Sequence, residues 1–403
     1  MYVKKMKKII VIISVILLLS IAGGAVMFFG IPVNNKARDG GKGFDFVSRM
    51  GAGINIGGSL DAYNKNHRGE YRDSAHYEKS WSNPEINDNL IELIHTAGFS
   101  SVRIPITWEM RTGGAPDYII DTDFLARVGT IIGWIFERDM IAIINMHNDD
   151  YYWYIPNNKN EAAVTERYIK MWVQIADYFK DYDERLVFEA FNEPRVIGSL
   201  TEWAGGTAFT RAVVNRLNRV FIDTVRGAGG KNPTRFLIIP THAASLDYNA
   251  VKALKVPADD KYLIAAVHSY KPRAFAESNN MEAKYFTNKE KKAIDKVFKL
   301  LDKTFISKGI PVVVGEFGAY HKDNEADRAE FAAYMAGKAK EAGVALFWWE
   351  NGAAFPGWWE ESGYHPQPDS WGFIDRETGT IVYQSIADAL VAPYLLLRNL
   401  NNS

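Results

Sequence analysis

LVFEAFNEPR, residues 186–195, starts as an apolar β-strand and finishes on an amide, a carboxylate and a proline: Asn192, Glu193 and Pro194. Pro194 has no N–H for a further ladder bond, so the strand stops there with two polar groups at its end. The same shape recurs along the chain. GAGINIGG (51–58), SVRIPITW (101–108), IAIINMH (141–147), FLIIPTH (236–242), YLIAAVHSY (262–270), PVVVGEF (311–317) and VALFWWEN (344–351) are apolar runs with polar residues at or near their ends. Near-continuous apolar runs are what parallel strands covered by helices look like.

Amphipathic stretches separate these runs. NPEINDNLIELIHTAG predicts a helix capped by Asn83, with Pro84 at its first position and Gly98 at its end; Ile86, Leu90, Ile91 and Ile94 form its apolar face. TDFLARVGTIIGWIFERDM, ERYIKMWVQIADYFKDY, FTRAVVNRLNRVFIDTVR, NKEKKAIDKVFKLLDKTFIS, EADRAEFAAYMAGKAKEAG and SIADALVAPYLLL read as helices too, with a shorter one near LDYNAVKAL. Eight strand–helix units predict an α/β chain closed into a (β/α)8 TIM barrel, a single catalytic domain. An open doubly wound sheet is the alternative. It would want G-x-G-x-x-G after an early strand, which GINIGGSLDA lacks.

Composition narrows the class. The 403 residues are 47% hydrophobic, ample for a large core, and α/β barrels run long as single domains. A formal charge of −1 offers no basic field for nucleic acid and no acidic tail. With no cysteine, disulfides, thiolate metal sites and cysteine nucleophiles are excluded. The first residues, MYVKKMKKIIVIISVILLLSIAGGAVMFFG, have the basic, apolar and small-residue order of an export signal, and the uncharged run Ile9 to Phe29 could also serve as an uncleaved membrane anchor. Residues 1–36 are therefore expected to be signal peptide or anchor, and residues 37–403 the barrel. The expected product is a secreted or cell-surface monomer, touching membrane only through the leader if it is uncleaved.

In such barrels chemistry sits at the C-terminal ends of the strands. In chain order these ends carry Asn55 with Asp61 beyond, Arg103, His147 and Asn148, then Asn192 and Glu193. His242, His268 with Tyr270, Glu316, and Trp349 with Glu350 and Asn351 complete the ring. Arg103 lies inside an apolar strand, where an unpaired charge is costly, so it must face a carboxylate. Glu189, inside the fourth strand, reads as a buried partner. Aromatic residues crowd the loops after the strands: Trp81, DDYYWY (149–154) with Trp153, Trp203 and FPGWWEESGYHP (355–366). Flat aromatic faces beside a cleft suit pyranose rings.

VVVGEFG repeats the opening puzzle with Glu316. Glu193 and Glu316 end strands four and seven, so their side chains approach from nearly opposite sides of the rim and can converge over the mouth. Two converging carboxylates, ~5–5.5 Å apart, are what retaining glycoside hydrolysis requires. A metal-dependent hydrolase is a rival. His147, His242 and His268 fall one per strand, however, and the first strand has GINIG where an H-x-H would be wanted, so no metal and no cofactor are expected. A catalytically silent polysaccharide-binding surface protein would be the natural reading if either carboxylate were missing.

FEAFNEPR resembles the Asn-Glu-Pro signature of glycoside hydrolase family 5, the cellulase-type barrels. GAGINIGGSLDA, AGFSSVRIPITW, IINMHND, VHSYKP, VVVGEFGAY and FWWENG resemble that family's strand-end motifs, in order. EWAGGTAFTRAVVN and WGFIDR resemble most the subfamily of bacterial endo-β-1,4-glucanases, xyloglucanases and lichenases. The resemblance implies Glu193 as acid/base and Glu316 as nucleophile, with Asn192 on the sugar 2-hydroxyl. It implies Arg103 and Tyr270 flanking the nucleophile, His147 and His268 lining subsites, and Trp349 as sugar platform; Asn55, Asn148, Trp81 and Trp153 are further candidates for substrate contact. Asn148 stands where a second His is expected, Glu350 where an Asp is expected, and no Trp precedes Asn55. The substrate expected is a β-glucan polysaccharide cut as by an endo-β-1,4-glucanase; xyloglucan, mixed-linkage glucan, mannan and xylan stay open. Arg103 is expected to keep Glu316 ionised, and Glu316 to hold the proton on Glu193.

Overall fold

In the computed structural model, residues 41–63, 74–157, 159–278, 280–354 and 370–401 are described. Eight parallel strands close in sequence order: β1 (Ala52–Asn55), β2 (Ser101–Ile104), β3 (Ile141–Asn145), β4 (Leu186–Glu189), β5 (Leu237–Pro240), β6 (Leu263–His268), β7 (Val312–Phe317) and β8 (Ala345–Trp348). β1 pairs with β8 through Gly53 and Phe347, which shuts the ring. The (β/α)8 expectation holds, and the open sheet is excluded. The leader and the FPGWWEESGYHP loop lie outside the described residues. Among those that are described, no helix is long and apolar enough to cross a membrane.

Side-chain parity divides the core into two. One face of the strands packs against the helix layer, where Ile131, Ile135, Trp172, Ile175 and Phe221 are all buried. The other face fills the lumen with Ile143, Val187, Ile238, Ile264, Val313 and Phe347. A helix not anticipated from the sequence, Lys42–Met50, closes the bottom by adding Phe46, Val47 and Met50 to that inner cluster. Gly53 makes room for Phe347: a Cβ there would stand 2.4 Å from the ring and 2.7 Å from the Leu346 carbonyl oxygen. Gly53→Ala should therefore lower unfolding free energy by about 1–3 kcal/mol, read from urea denaturation, because neither neighbour can retreat within a closed barrel.

The strands are shorter than the apolar runs suggest. Parallel pairing stops at Asn55, Ile104, Asn145, Glu189 and Pro240, and the residues beyond leave the ladder to form the rim. The helix expected from Asn83 instead runs Asp88–Thr96, capped by the Asn87 side chain accepting from the Leu90 N–H at 2.9 Å. Asn83 is used elsewhere. Its amide donates to the carbonyls of Gly58 and Asn351, both at 2.9 Å, and so ties the loops after β1 and β8 together. Thr207 opens the helix Ala208–Gly227 with a reciprocal cap involving Thr210.

Candidate active site

The top of the lumen is polar because the inward parity of β1 to β4 ends there on Asn55, Arg103, Asn145 and Glu189. Asn55 pairs with Arg103 in the ladder and Asn145 with Glu189. Arg103 is fully buried and its guanidinium is shared among four groups. Nε donates to Glu189 at 2.7 Å, Nη1 to Asn55 at 2.8 Å and to Glu316 at 2.9 Å, and Nη2 to Asn192 at 2.7 Å. The sequence demanded one carboxylate partner for this arginine; the fold supplies two.

A register shift in the β6–β7 pairing at Val267/His268 sets His268 opposite Glu316. Above Arg103, Glu316 also accepts from the Tyr270 hydroxyl at 2.9 Å. Across the mouth, Glu193 meets His268 Nδ1 at 2.9 Å, and that nitrogen is 3.5 Å from Glu316. Oxygens of Glu193 and Glu316 and a nitrogen of His268 all lie within 4.8 Å of one another. The two carboxylates thus converge, as their positions at strands four and seven required.

Burial pushes both carboxyls above the ordinary glutamate range. This qualifies the expectation that Arg103 keeps Glu316 ionised: desolvation is the larger effect, and the neighbouring His268 and Arg103, with the Tyr270 hydroxyl, pull back only part of it. The pair still differs in its partners. Glu316 receives two direct donors, one of them a cation, whereas the nearest guanidinium nitrogen to a Glu193 side-chain oxygen is that of Arg195 at 3.9 Å. A proton shared by the two therefore rests on Glu193. Burial lowers His268 to about 4 and His147 well below its usual value, so both rings are neutral near pH 7.

Asn145 orients His147. Its amide nitrogen serves both Glu189, at 3.2 Å, and His147 Nδ1, at 3.3 Å, which leaves the ring proton on Nε2. That Nε2 is 3.9 Å from Glu316. The His147 ring lies parallel to Trp349, centroids 5.5 Å apart. Asn192 uses its amide oxygen on Arg103, so its NH2 is the half left for a ligand.

Other candidates move to supporting roles. Asn55 is completely buried and its amide donates to the carbonyls of Gly315, Phe347 and Trp348 at 3.0–3.3 Å, so it braces Arg103 and does not reach substrate. Arg103 is likewise sealed beneath Glu316. Trp153 bonds Asp149 at 3.0 Å and has the Arg167 guanidinium 4.6 Å from its ring, which makes it a strut of its loop and not an open platform. Asn148 donates to the Asp61 carbonyl at 3.0 Å. Trp81 donates to the Tyr63 carbonyl at 3.2 Å and packs edge-on to the Tyr63 ring. His242 sits where a Cβ on Gly206 would be 2.6 Å away, behind the rim. Glu350 accepts from the N–H groups of Gly352, Phe373 and Ile374, which clamps both ends of the loop after β8.

Three contributors were not anticipated. Asn145 read as strand. Trp371 read only as motif, yet it packs 4.7 Å from Tyr270. Arg195 read as the residue after a proline, although its position beside NEP was the available signal. Beside Glu193, Trp203, Tyr248, His268 and Tyr270 open onto a cleft of about 390 Å³.

A family model described as Cellulase (glycosyl hydrolase family 5) matches residues 60–355. The chain is 34% identical to Cellulase/esterase CelE of Acetivibrio thermocellus over 405 residues, covering 96% of this chain but only 47% of that protein. It is 35% identical to Endoglucanase A of Clostridium longisporum, with 93% and 71% covered, and 35% identical to Endoglucanase A of Ruminococcus albus, with 86% and 91% covered. Among solved structures, a broad-specificity endoglucanase of Clostridium longisporum superposes with TM-score 0.81 at 34% identity, over 88% of this chain and 98% of the other. A xyloglucan-specific endo-β-1,4-glucanase from a metagenomic library, solved with cellotriose, gives TM-score 0.79 at 34% identity over 87% and 98%. A Caldicellulosiruptor lichenase gives 0.81 at 32% over 91% and 98%.

Proposed function

The chain belongs to glycosyl hydrolase family 5, and from that premise we propose that it is a retaining endo-β-1,4-glucanase acting on β-glucan polysaccharides. The observation that carries this reading is the convergence of Glu193 and Glu316, oxygens within 4.8 Å, with a guanidinium hydrogen-bonded, among the described residues, to the side chain of Glu316 but not to that of Glu193. That spacing suits attack by one carboxylate and proton transfer by the other, with no room for an intervening water. Endoglucanase relatives support the substrate class.

In this reading Glu316, fixed by Arg103 and Tyr270, attacks the anomeric carbon as Glu193 gives its proton to the departing oxygen. A glycosyl ester on Glu316 results. Glu316 then carries no charge, so Glu193, having given up its proton, rests as a carboxylate. It takes a proton from water as that oxygen bonds the anomeric carbon and the ester C–O bond breaks. This returns Glu316 as a carboxylate, leaves Glu193 protonated and releases a β-configured sugar. The Asn192 amide donates to the 2-hydroxyl, neutral His147 presents Nε2–H, and Trp349 offers a flat face to the ring. Residues 1–36 retain the reading of export leader or anchor.

Substrate range, product stereochemistry, substitution of Glu193 and chelation each test this. Reducing-sugar release across carboxymethyl cellulose, mixed-linkage glucan, xyloglucan, mannan and xylan should be greatest on β-glucans, with viscosity falling early. Proton NMR should detect the β-anomer first; early α-anomer would overturn double displacement. Glu193→Gln should lower kcat/KM on β-glucan by about 10²–10⁴-fold, the usual size of a general acid/base contribution. Retention of most turnover would remove Glu193 from the mechanism. Activity should survive a strong chelator, which a metal-dependent hydrolase would not.

A further inference from the structure

Arg195 touches the backbone of Glu193 and the exposed indole of Trp203 at once, and is held by Asp150, Glu202 and the Tyr151 hydroxyl. Its side chain is buried, and Nη1 donates to Asp150 and, at 3.1 Å, to the backbone carbonyl of Glu193. Nε donates to Glu202 at 3.0 Å. The guanidinium carbon stands 4.6 Å from the centre of the Trp203 ring, near enough for a cation–π contact. Glu202 uses its other oxygen on the Gly198 N–H at 2.7 Å, so the loop that carries Trp203 is fastened at two points to the same arginine. Trp203 is 52% exposed and faces the cleft it shares with Glu193. That cleft lies on the proton donor's side, where the leaving part of a glycan chain must sit.

We propose that Arg195, with Asp150, is a positioning unit that locks the proton donor Glu193 and the aromatic platform Trp203 together, coupling capture of the leaving-group sugar to protonation of its oxygen. This rests on the reading of Glu193 as acid/base. An ordinary structural ion pair would need neither the Glu193 carbonyl nor the indole face. Asp150 also has an unusual environment: it is buried, and its second oxygen has no hydrogen-bond partner among the described residues.

The electrostatics run in a definite direction. Glu193 is faced by Arg195 and Glu202 from its own loop, by Asp150 and Tyr151 from the loop after β3, and by Arg103 from β2. From the other side it faces His268, Glu316, Tyr270 and Glu277. Arg195 favours the ionised form of Glu193; Asp150 offsets Arg195. Burial pushes the Asp150 carboxyl up to about 7, so its charge develops near neutral pH. As Asp150 ionises, Glu193 keeps its proton to higher pH. The arm of the pH profile lost at high pH reports that proton.

The test compares Arg195→Gln, Asp150→Asn and Trp203→Ala on cellotetraose and on dinitrophenyl β-cellobioside, whose leaving group needs neither a proton nor a sugar subsite. Arg195→Gln should lower kcat/KM on cellotetraose about 10–100-fold yet stay within about 3-fold on the aryl glycoside, because only the first depends on leaving-group alignment and protonation. Its basic limb should move up, and that of Asp150→Asn should move down, each by about half a pH unit or more. Trp203→Ala should raise KM for cellotetraose and leave the limb in place. Equal losses on both substrates, or limbs that do not move in opposite directions, would overturn the coupling. Should Arg195→Gln not fold, the Asp150→Asn limb and the Trp203→Ala KM decide alone. Glu193→Gln run in parallel separates the two readings: if it keeps cellotetraose turnover the acid/base assignment fails, and if it is inactive while the limbs stay fixed only the coupling fails.

Discussion

Glu316→Gln should abolish turnover, with kcat/KM on β-glucan falling by about 10⁴-fold or more, while the protein stays folded. The amide is nearly the same size and can still accept from the Tyr270 hydroxyl, which now stands 2.9 Å from the carboxylate. What it cannot do is carry negative charge or form the glycosyl ester. The loss should persist on an activated aryl glycoside, because a good leaving group does not replace a missing nucleophile. Glu316→Ala should instead be rescued by azide on such a substrate, with the product in the α configuration, since the small anion then attacks once from the face Glu316 occupied. A rescued product in the β configuration would mean the two glutamates have been given each other's roles. The substitution also removes a charge from Arg103, but Glu189 at 2.7 Å remains as its counter-ion, so a large stability change is not expected.

How much of this was legible beforehand divides along a physical line. The barrel was readable because eight buried parallel strands leave eight apolar runs separated by amphipathic stretches, without the glycine-rich turn an open doubly wound sheet would want. The convergence of Glu193 and Glu316 was legible because each stands just past an apolar run, on strands on opposite sides of the ring. Lateral contacts were not. Asn55 stands at a strand end like Glu193, and only the fold reveals that three backbone carbonyls consume its amide. Asn83 reads as a cap from its place before a proline, yet long-range closure of the barrel brings the Asn351 carbonyl to it from 268 positions away. The pairing of Arg195 with Asp150 spans 45 positions and two loops, and no periodicity encodes it. The height of the carboxyl pKa values depends on burial, which a strand-end position does not specify.

Arg103→Met is expected to cost about 3–5 kcal/mol of stability, because it leaves two buried carboxylates without their common cation. Glu189 is only 1% exposed, and its other described side-chain donor is the Asn145 amide at 3.2 Å. Loss of the arginine also frees the Asn192 and Asn55 amide oxygens, so the amide proposed to meet the sugar and the brace beneath it both loosen. Function should suffer in a way that can be separated from folding. Burial already raises the Glu316 carboxyl, and Arg103 is one of the groups that lower it again. Without that cation Glu316 should take up its proton at higher pH, so the acidic limb of kcat/KM moves upward and less of the enzyme holds an ionised nucleophile near neutrality. Arg103→Lys tests the geometry against the charge. A lysine keeps the cation but is a single point donor where the guanidinium fork reaches four groups at once. It should recover most of the acidic limb and only part of the stability, measured by urea denaturation near neutral pH. If Arg103→Met leaves both the limb and the denaturation midpoint unchanged, the arginine is not what separates the two glutamates, and the division of roles between them would need another cause.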